Sequence, residues 1–187
     1  MADRPPELVP AELGEDQKRI HDEILNGPRG VVEGPLRVWL QSPGLAHHAQ
    51  ALGAFCRYDT ALPQRLSELA ILVTGAYWKS GFEWAVHCPI ALNAGLTQDQ
   101  VDAIRLGERP AFDDDEAQIV YDVSTAMHRH KRLEDALYRR AVETLGLVAL
   151  VDLIGVLGYY TLISMTINAF EVPVPDGEPD PFAGPEE

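Results

Sequence analysis

Apolar residues recur at intervals of three and four positions through most of the chain, and this spacing is typical of amphipathic α-helices. Turn-forming residues interrupt the pattern, but no Asn-Gly or Asp-Gly pair separates two alternating, strand-like runs. The pattern therefore predicts an all-α protein. The predicted helices cover residues 16–25, 36–40, 43–58, a pair between 65 and 95 with a break at 79–81, 97–106, one that begins near 113, 133–145 and 147–170.

These helices fit a single domain that spans the 187 residues of the chain. A chain of this length buries enough apolar surface for one hydrophobic core. We expect a helical core at about 15–170. Residues 171–187 contain several prolines and acidic residues and cannot continue a helix, so they predict an extended tail.

The longest apolar stretch is 147–170, and it raises the question of a membrane-spanning helix, which needs about 20 mostly apolar residues. It contains Asp152 and several small residues, and no cationic residues flank it as membrane anchors. We therefore favour a buried central helix whose small residues allow close helix contacts.

Charge and cysteine content narrow the possible functions. The formal net charge is −14, and no Lys/Arg cluster offsets it, so the chain would repel a phosphate backbone and a nucleic-acid partner is not expected. Cys56 and Cys88 are too few for a disulfide framework. The first residues lack the basic and apolar regions of a signal peptide. We expect a soluble, cytoplasmic protein.

Three ionisable residues lie in strongly apolar surroundings and form the candidate site. Glu83 and His87 are four residues apart and share one helix face, and Glu68 precedes the apolar run 69–73. Burying such groups without partners is costly. Their proximity is therefore either structural or catalytic.

Each of these residues has a structural alternative. Glu83 fits a capping box with Ser80, Glu68 has Arg65 one turn earlier as a salt-bridge partner, and His87 fits a hydrogen-bonded core histidine. The two glutamates and His87, with a second histidine, also offer ligands for a divalent metal, although no fourth ligand has a convincing spacing.

The spacing of these positions resembles the carboxymuconolactone decarboxylase family, which shares its fold with alkylhydroperoxidase D. The resemblance rests on Arg65-x-x-Glu68-Leu69, Ser80-x-x-Glu83-Trp84-x-x-His87 and Ala91-x-x-Ala94-Gly95-Leu96, and it spans about residues 36–175. It implies an alkylhydroperoxidase D-like helical bundle that assembles into homo-oligomers.

The thiol-peroxidase branch of this family carries a C-x-x-C-x-x-x-H motif, with a glutamate twelve residues before the first cysteine. Glu68 and His87 occupy the glutamate and histidine positions, but Ser80 and Glu83 occupy the two cysteine positions. A dithiol cycle needs two neighbouring sulfurs, and Cys88 points about 100° away from His87 around the helix. The decarboxylase branch, with its Glu-x-x-x-His pair, is the closer match.

The resemblance therefore implies a cofactor-independent acid–base lyase of the decarboxylase type that acts on a small carboxylated or lactone-like compound. We expect no metal. The alternatives are an alkylhydroperoxidase-like antioxidant protein that uses Cys88 or Cys56, and a binding module without turnover. The predicted catalytic residues are His87, Glu83 and Glu68, and the predicted substrate-binding residues are Arg65, Ser80 and Trp84.

Assembly is predicted from the apolar helix as well as from the resemblance. A helix that is apolar on nearly all sides exceeds what one small domain covers, and large exposed apolar patches mark interfaces. We expect a trimer or hexamer in which the tail, lacking a partner in its own subunit, lies across a neighbour.

Overall fold

The computed structural model describes Arg4 and residues 8–183, and within them the protein forms α-helices, two short 3-10 turns and no β-strand. This confirms the all-α prediction. The helices are α1 (Glu15–Asn26), α2 (Pro35–Trp39), α3 (Pro43–Tyr58), α4 (Gln64–Trp78), α5 (Gly81–Asn93), α6 (Gln98–Leu106), α7 (Asp115–His130), α8 (Asp135–Leu145) and α9 (Leu147–Ala169).

Helix α4 lies at the centre of the bundle and packs against α9, α5 and α7. Every residue from Leu66 to Gly75 is buried, including Glu68. A helix that is covered on all sides loses the usual polar stripe. Any ionisable group on α4 must therefore find its partner inside the protein.

Local sequence signals set the helix ends. Thr97 forms a capping box at the start of α6, where its side chain accepts a hydrogen bond from the backbone N–H of Gln100. Asp114 caps α7 by accepting from the N–H of Ala117. The predicted break between α4 and α5 is present, and there Lys79 adopts the left-handed conformation with φ of 50°.

The length and composition of helix α9 would allow it to cross a membrane, and the mean hydropathy of its most apolar stretch is 1.9. However, 50% of that stretch is buried inside the protein. Leu153, Val156 and Tyr160 are among the buried residues, and the helix packs against α3 and α4. The helix is therefore the core helix of a soluble-type helical protein, as predicted.

The described part of the tail packs on its own subunit. The Phe182 ring meets Trp84 of α5 edge to face, with ring centroids 5.3 Å apart. Val174 and Asp180 lie against Gly81 at the start of α5, where a Cβ would meet both. The prediction that the tail has no partner in its own subunit is therefore wrong, because the first turn of α5 provides an apolar surface for it. Residues 184–187 lie outside the described residues.

Candidate active site

Glu68, Glu83 and His87 converge in the interior. The Nδ1 atom of His87 lies 2.7 Å from Oε2 of Glu68 on α4, and its Nε2 atom lies 3.0 Å from Oε1 of Glu83 one turn earlier on α5. All three side chains are at most 5% exposed. The two helices thus place a carboxylate on each side of one imidazole ring.

This arrangement determines the protonation state of His87. Burial alone would lower its pKa, but the negative charges of Glu83 and Glu68, together with the close Glu68 hydrogen bond, raise the pKa from 6.5 to about 9. The ring is therefore an imidazolium at neutral pH, and both of its nitrogens carry a proton. It can donate from Nδ1 to Glu68 and present Nε2–H beside Glu83.

One carboxylate oxygen of Glu83 lacks a hydrogen-bond partner among the described residues. Its Oε1 atom is buried and contacts Nε2 of His87, but it has no partner with hydrogen-bond geometry within the described residues. A buried carboxylate oxygen in this condition is costly unless a ligand or water completes it. Ser80 makes no side-chain hydrogen bond at the start of α5, so the alternative in which the two residues form a capping box is wrong.

The structural alternative for Glu68 also fails, whereas a buried, hydrogen-bonded His87 fits both the structural and the catalytic interpretation. Arg65 makes a salt bridge at 3.0 Å with Asp114 rather than with Glu68, and this contact lowers the pKa of the Asp114 carboxyl. The carboxylate of Glu68 instead pairs with the imidazole of His87. Glu68 is therefore a partner of His87 and not of Arg65.

Two tyrosines on α9 cover the imidazole. The Tyr160 ring meets the His87 ring edge to face at 5.1 Å, and Tyr159 meets Tyr160 in the same way at 5.2 Å. Burial raises the pKa of both phenols, and the negative charge of Glu83 raises each of them further. The two hydroxyl groups therefore stay neutral at physiological pH and can donate hydrogen bonds.

A cavity of about 130 Å³ opens beside Glu83 and His87. It combines cationic, phenolic and apolar groups with the carboxylates of Glu33 and Glu83, and its cations suit a small molecule with an apolar body and an anionic group. Its lining comprises Arg29, Val31, Glu33, Pro35, Leu36, Arg57, Tyr58, Phe82, Glu83, Val86, His87, Tyr159, Tyr160 and Ile163.

Arg29 is the cation whose geometry best fits a ligand. Its Nη2 donates a hydrogen bond of 3.0 Å to the Tyr159 hydroxyl, and its Nε is buried with no hydrogen-bond partner within the described residues. Gly53 on α3 makes room for this pair, because a Cβ there would overlap the Tyr159 hydroxyl and the Arg29 guanidinium. The chain therefore holds a partly unsatisfied cation at the cavity.

The predicted substrate-binding residues lie elsewhere. None of Arg65, Ser80 and Trp84 lines this cavity. Arg65 is engaged with Asp114, the Ser80 hydroxyl is buried without a partner, and Trp84 packs against Phe182. Their role in substrate binding stays a prediction, and the lining of the cavity gives it no support.

Sequence reasoning missed Arg29, Arg57, Tyr159 and Tyr160. The two arginines come from the loop after α1 and from the end of α3, whereas the tyrosines are more than one hundred positions further along, on α9. No local spacing links these positions. The one available signal was the adjacent pair of tyrosines in an otherwise aliphatic helix.

Both cysteines are free, and neither lines the cavity. Burial raises the pKa of Cys56 to about 11 and also raises that of Cys88. Reactive thiols need the opposite change, toward a lower pKa. Among the described residues, no group of three or more His, Cys, Asp or Glu side chains is arranged to hold a metal ion.

Comparison with known proteins agrees with the resemblance seen in the sequence. Residues 43–125 match the carboxymuconolactone decarboxylase family. The crystal structure of an uncharacterized peroxidase-related protein from Silicibacter sp. TM1040 is similar to this chain, with a TM-score of 0.72 and 13% sequence identity over 87% of this chain and 86% of that one. No curated protein sequence matches the chain.

These findings confirm the family resemblance and the alkylhydroperoxidase D-like fold. The family match contains Glu68, Glu83 and His87, while Tyr159 and Tyr160 lie outside it. Neither comparison specifies a decarboxylase or a peroxidase activity.

Proposed function

We propose, from the match to the carboxymuconolactone decarboxylase family and the geometry of the buried site, that this protein is a cofactor-independent acid–base lyase. Its substrate is a small carboxylated or lactone-like compound, and its reaction releases carbon dioxide. The observation that supports the proposal is His87, held between the carboxylates of Glu68 and Glu83 at the wall of a small cavity.

The chemistry requires one well-placed acid. When the bond between the substrate carbon and its carboxylate breaks, carbon dioxide leaves and the electron pair remains on the substrate as an enolate-like anion, provided that a conjugated carbonyl accepts it. The Nε2–H of the His87 imidazolium then protonates the substrate carbon. Glu68 keeps the Nδ1 proton in place and stabilises the ring in its cationic form. Water returns the lost proton to Nε2.

Charge placement also supports this reaction. Arg29, with its unpartnered Nε, is suited to bind a carboxylate or a lactone carbonyl of the substrate. Arg57 adds a second positive charge at the lining. The neutral Tyr160 phenol contacts the imidazole and excludes water from one side of it. An anion that develops in this cavity would lie next to cations in a poorly solvated environment, which is where such interactions are strongest.

The test is carbon dioxide release from a panel of small lactone and keto acids, with purified protein in deuterium oxide. We expect one deuterium on the product carbon and a loss of about 10²- to 10⁴-fold in kcat for His87→Gln, the range for removing a general acid. His48→Gln removes an exposed histidine and is the matched control. Equal turnover by a folded His87→Gln protein would contradict the proposal.

A second candidate is an alkylhydroperoxidase-like antioxidant protein, and the similarity to an uncharacterized peroxidase-related protein favours it. It requires Cys56 or Cys88, and both thiols have a raised pKa. Thiol-dependent peroxide reduction that disappears in the Cys56→Ser, Cys88→Ser double variant would establish it. A binding module would instead retain ligand and show neither activity.

We also propose a homo-oligomeric, cytoplasmic protein, most simply a trimer or hexamer as the resemblance implies. Helix α9 leaves Val148, Val151 and Met165 between 50% and 69% exposed. Among the residues that the structure describes, none comes within 4 Å of a Cβ built on Gly155 or Gly158, so this side of the helix is open there. A second copy of the chain would bury this apolar surface.

A further inference from the structure

We propose a second ligand site, separate from the His87 cavity, that binds a small organic carboxylate with an aromatic or other apolar body. The site is a cavity of about 190 Å³ between the ends of α4 and α6, one face of α7 and the tail residue Phe182. No residue lines both cavities.

The walls of this cavity are apolar and aromatic. Val73, Ile104 and Leu106 contribute aliphatic surface, and Leu106 is 61% exposed although it borders a recess. Tyr77 stacks on His128, with ring centroids 4.8 Å apart and an angle of 17° between the planes. A void of about 150 Å³ in an apolar protein interior accommodates benzene, so this cavity has room for a single ring with one substituent.

His128 adds aromatic surface without adding charge. Thr74 donates its hydroxyl proton to the Ala70 carbonyl at 2.9 Å, so its oxygen accepts from Nε2–H of His128, also at 2.9 Å. Burial lowers the pKa of His128 to about 4, which leaves the imidazole neutral at physiological pH. The stack of Tyr77 on His128 is therefore a rigid, uncharged platform for a ring.

Positive charge is concentrated at the edge of this platform. Lys79, Arg105 and Arg129 all line the cavity, and no Asp or Glu is present among the described residues of its lining. This is an unusual local balance in a chain with 29 acidic and 15 basic residues. Within the described residues, the single ion pair of the three cations is a loose one of 4.0 Å from Arg105 to Asp102. The cations are thus available to an anionic ligand.

Lys79 lines the cavity from the last residue of the α4 region, where the chain turns toward α5. Lys79 ends α4 with φ of 50°, in the left-handed region that glycine occupies without strain. A lysine there costs backbone energy that a glycine would not. Lys131 ends α7 in the same way, so this conformation is a way of ending a helix; at Lys79 it places a cation among the residues that line the cavity.

The charge and the shape of the cavity together define the ligand class. An anionic group suits the three cations, and an aromatic or aliphatic ring suits the platform of Tyr77 and His128. A neutral or cationic ring would lose the electrostatic part of the interaction. The ligand is therefore an acid such as benzoate, with its ring on the platform and its carboxylate toward the opening.

The experiment is a benzoate titration of the intact protein, followed by NMR of the assigned ring protons of His128 and His87. We expect a saturable shift of the His128 signal, with a millimolar or lower dissociation constant. Benzyl alcohol, which has the same ring without the charge, should bind at least about fivefold more weakly, the upper range for one exposed ion pair.

A matched pair of variants tests the role of the charge. Lys79→Gly should weaken benzoate binding at His128 by about two- to fivefold, and it should not destabilise the fold, since glycine accepts the left-handed conformation. Lys131 ends α7 in the same conformation, with φ of 62°, and lies outside the lining. Lys131→Gly should therefore leave the affinity unchanged.

Four results would overturn the proposal. They are an absent or unsaturable shift at His128, equal affinity for benzyl alcohol, equal effects of the two lysine variants, and a His128 signal that responds to protein concentration but not to benzoate. The last result would make the cavity a contact between two copies of the chain. A shift at His87 alone would support the cavity at Glu83 and not this one, so the two proposals can fail separately.

Discussion

The protein should lose stability between pH 6.5 and pH 9 because of His87. The folded-state pKa of this residue is about 9, and its ordinary value is 6.5. A histidine with a raised folded pKa contributes stability that is fully present below its unfolded pKa and is lost as the pH rises through its folded pKa. At higher pH the neutral ring no longer compensates the buried carboxylates of Glu68 and Glu83.

The size of the effect follows from the two pKa values. Each pKa unit corresponds to about 1.4 kcal/mol, so the difference between 6.5 and about 9 is worth roughly 3 to 4 kcal/mol at most. Most of this contribution should disappear between the two values. The free energy of unfolding of a folded domain is typically about 5–15 kcal/mol, so a contribution of this size is measurable by ordinary denaturation.

The assay is urea unfolding followed by far-ultraviolet circular dichroism at a series of pH values. The thiols of the unfolded chain begin to ionise near the top of this window, so the informative quantity is the pH dependence of the wild type minus that of His87→Gln. Glu68→Gln should give an intermediate result, because the imidazolium then keeps one carboxylate. The reasoning fails if wild type and His87→Gln lose stability in parallel from pH 6.5 to pH 9.

Three further predictions concern the cavity, the thiols and the assembly. Gly53→Ala should lower kcat/KM by about tenfold, because the added Cβ displaces the Arg29 guanidinium. A tenfold loss corresponds to about 1.4 kcal/mol. Gly44→Ala is the control and should leave kcat/KM unchanged, because Gly44 is on the same helix and has open space at its Cβ. Replacing both Cys56 and Cys88 with serine should leave carbon dioxide release unchanged, and a loss of that activity would support a thiol mechanism. Light scattering should give a mass well above the 20.6 kDa of one chain, and a stable monomer at micromolar concentration would contradict the proposed use of α9.

The helices could be predicted from the sequence because their signals are local. The capping box that starts at Thr97 and the acidic residue Asp114 lie within one turn of the helix ends that they set. The pairing of Glu83 with His87 was also local, since residues at i and i+4 share a face. The contact of Glu68 with His87 joins two helices, so local spacing does not predict it. Only the family resemblance linked these two residues in the sequence.

The rest of the site depends on tertiary packing that sequence spacing does not contain. Arg29 lies in a loop 130 positions before its hydrogen-bond partner Tyr159, so nothing in the local pattern connects them. Trp84 is on the same helix as His87, but its ring faces Phe182 and the tail rather than the cavity. The helical period predicts which residues share a face and does not say which neighbour covers that face.

The most direct test of the account is the pH dependence of kcat/KM for carbon dioxide release, compared between wild type and Glu68→Gln. If His87 donates the proton and its pKa is raised to about 9 by the two carboxylates, the wild-type rate falls as the pH rises through about 9. In Glu68→Gln the same fall moves to a lower pH, because one of the two charges that stabilise the imidazolium is gone. A wild-type rate that stays level or rises through pH 9, or a midpoint that does not move in Glu68→Gln, would contradict the assignment of His87 as the acid.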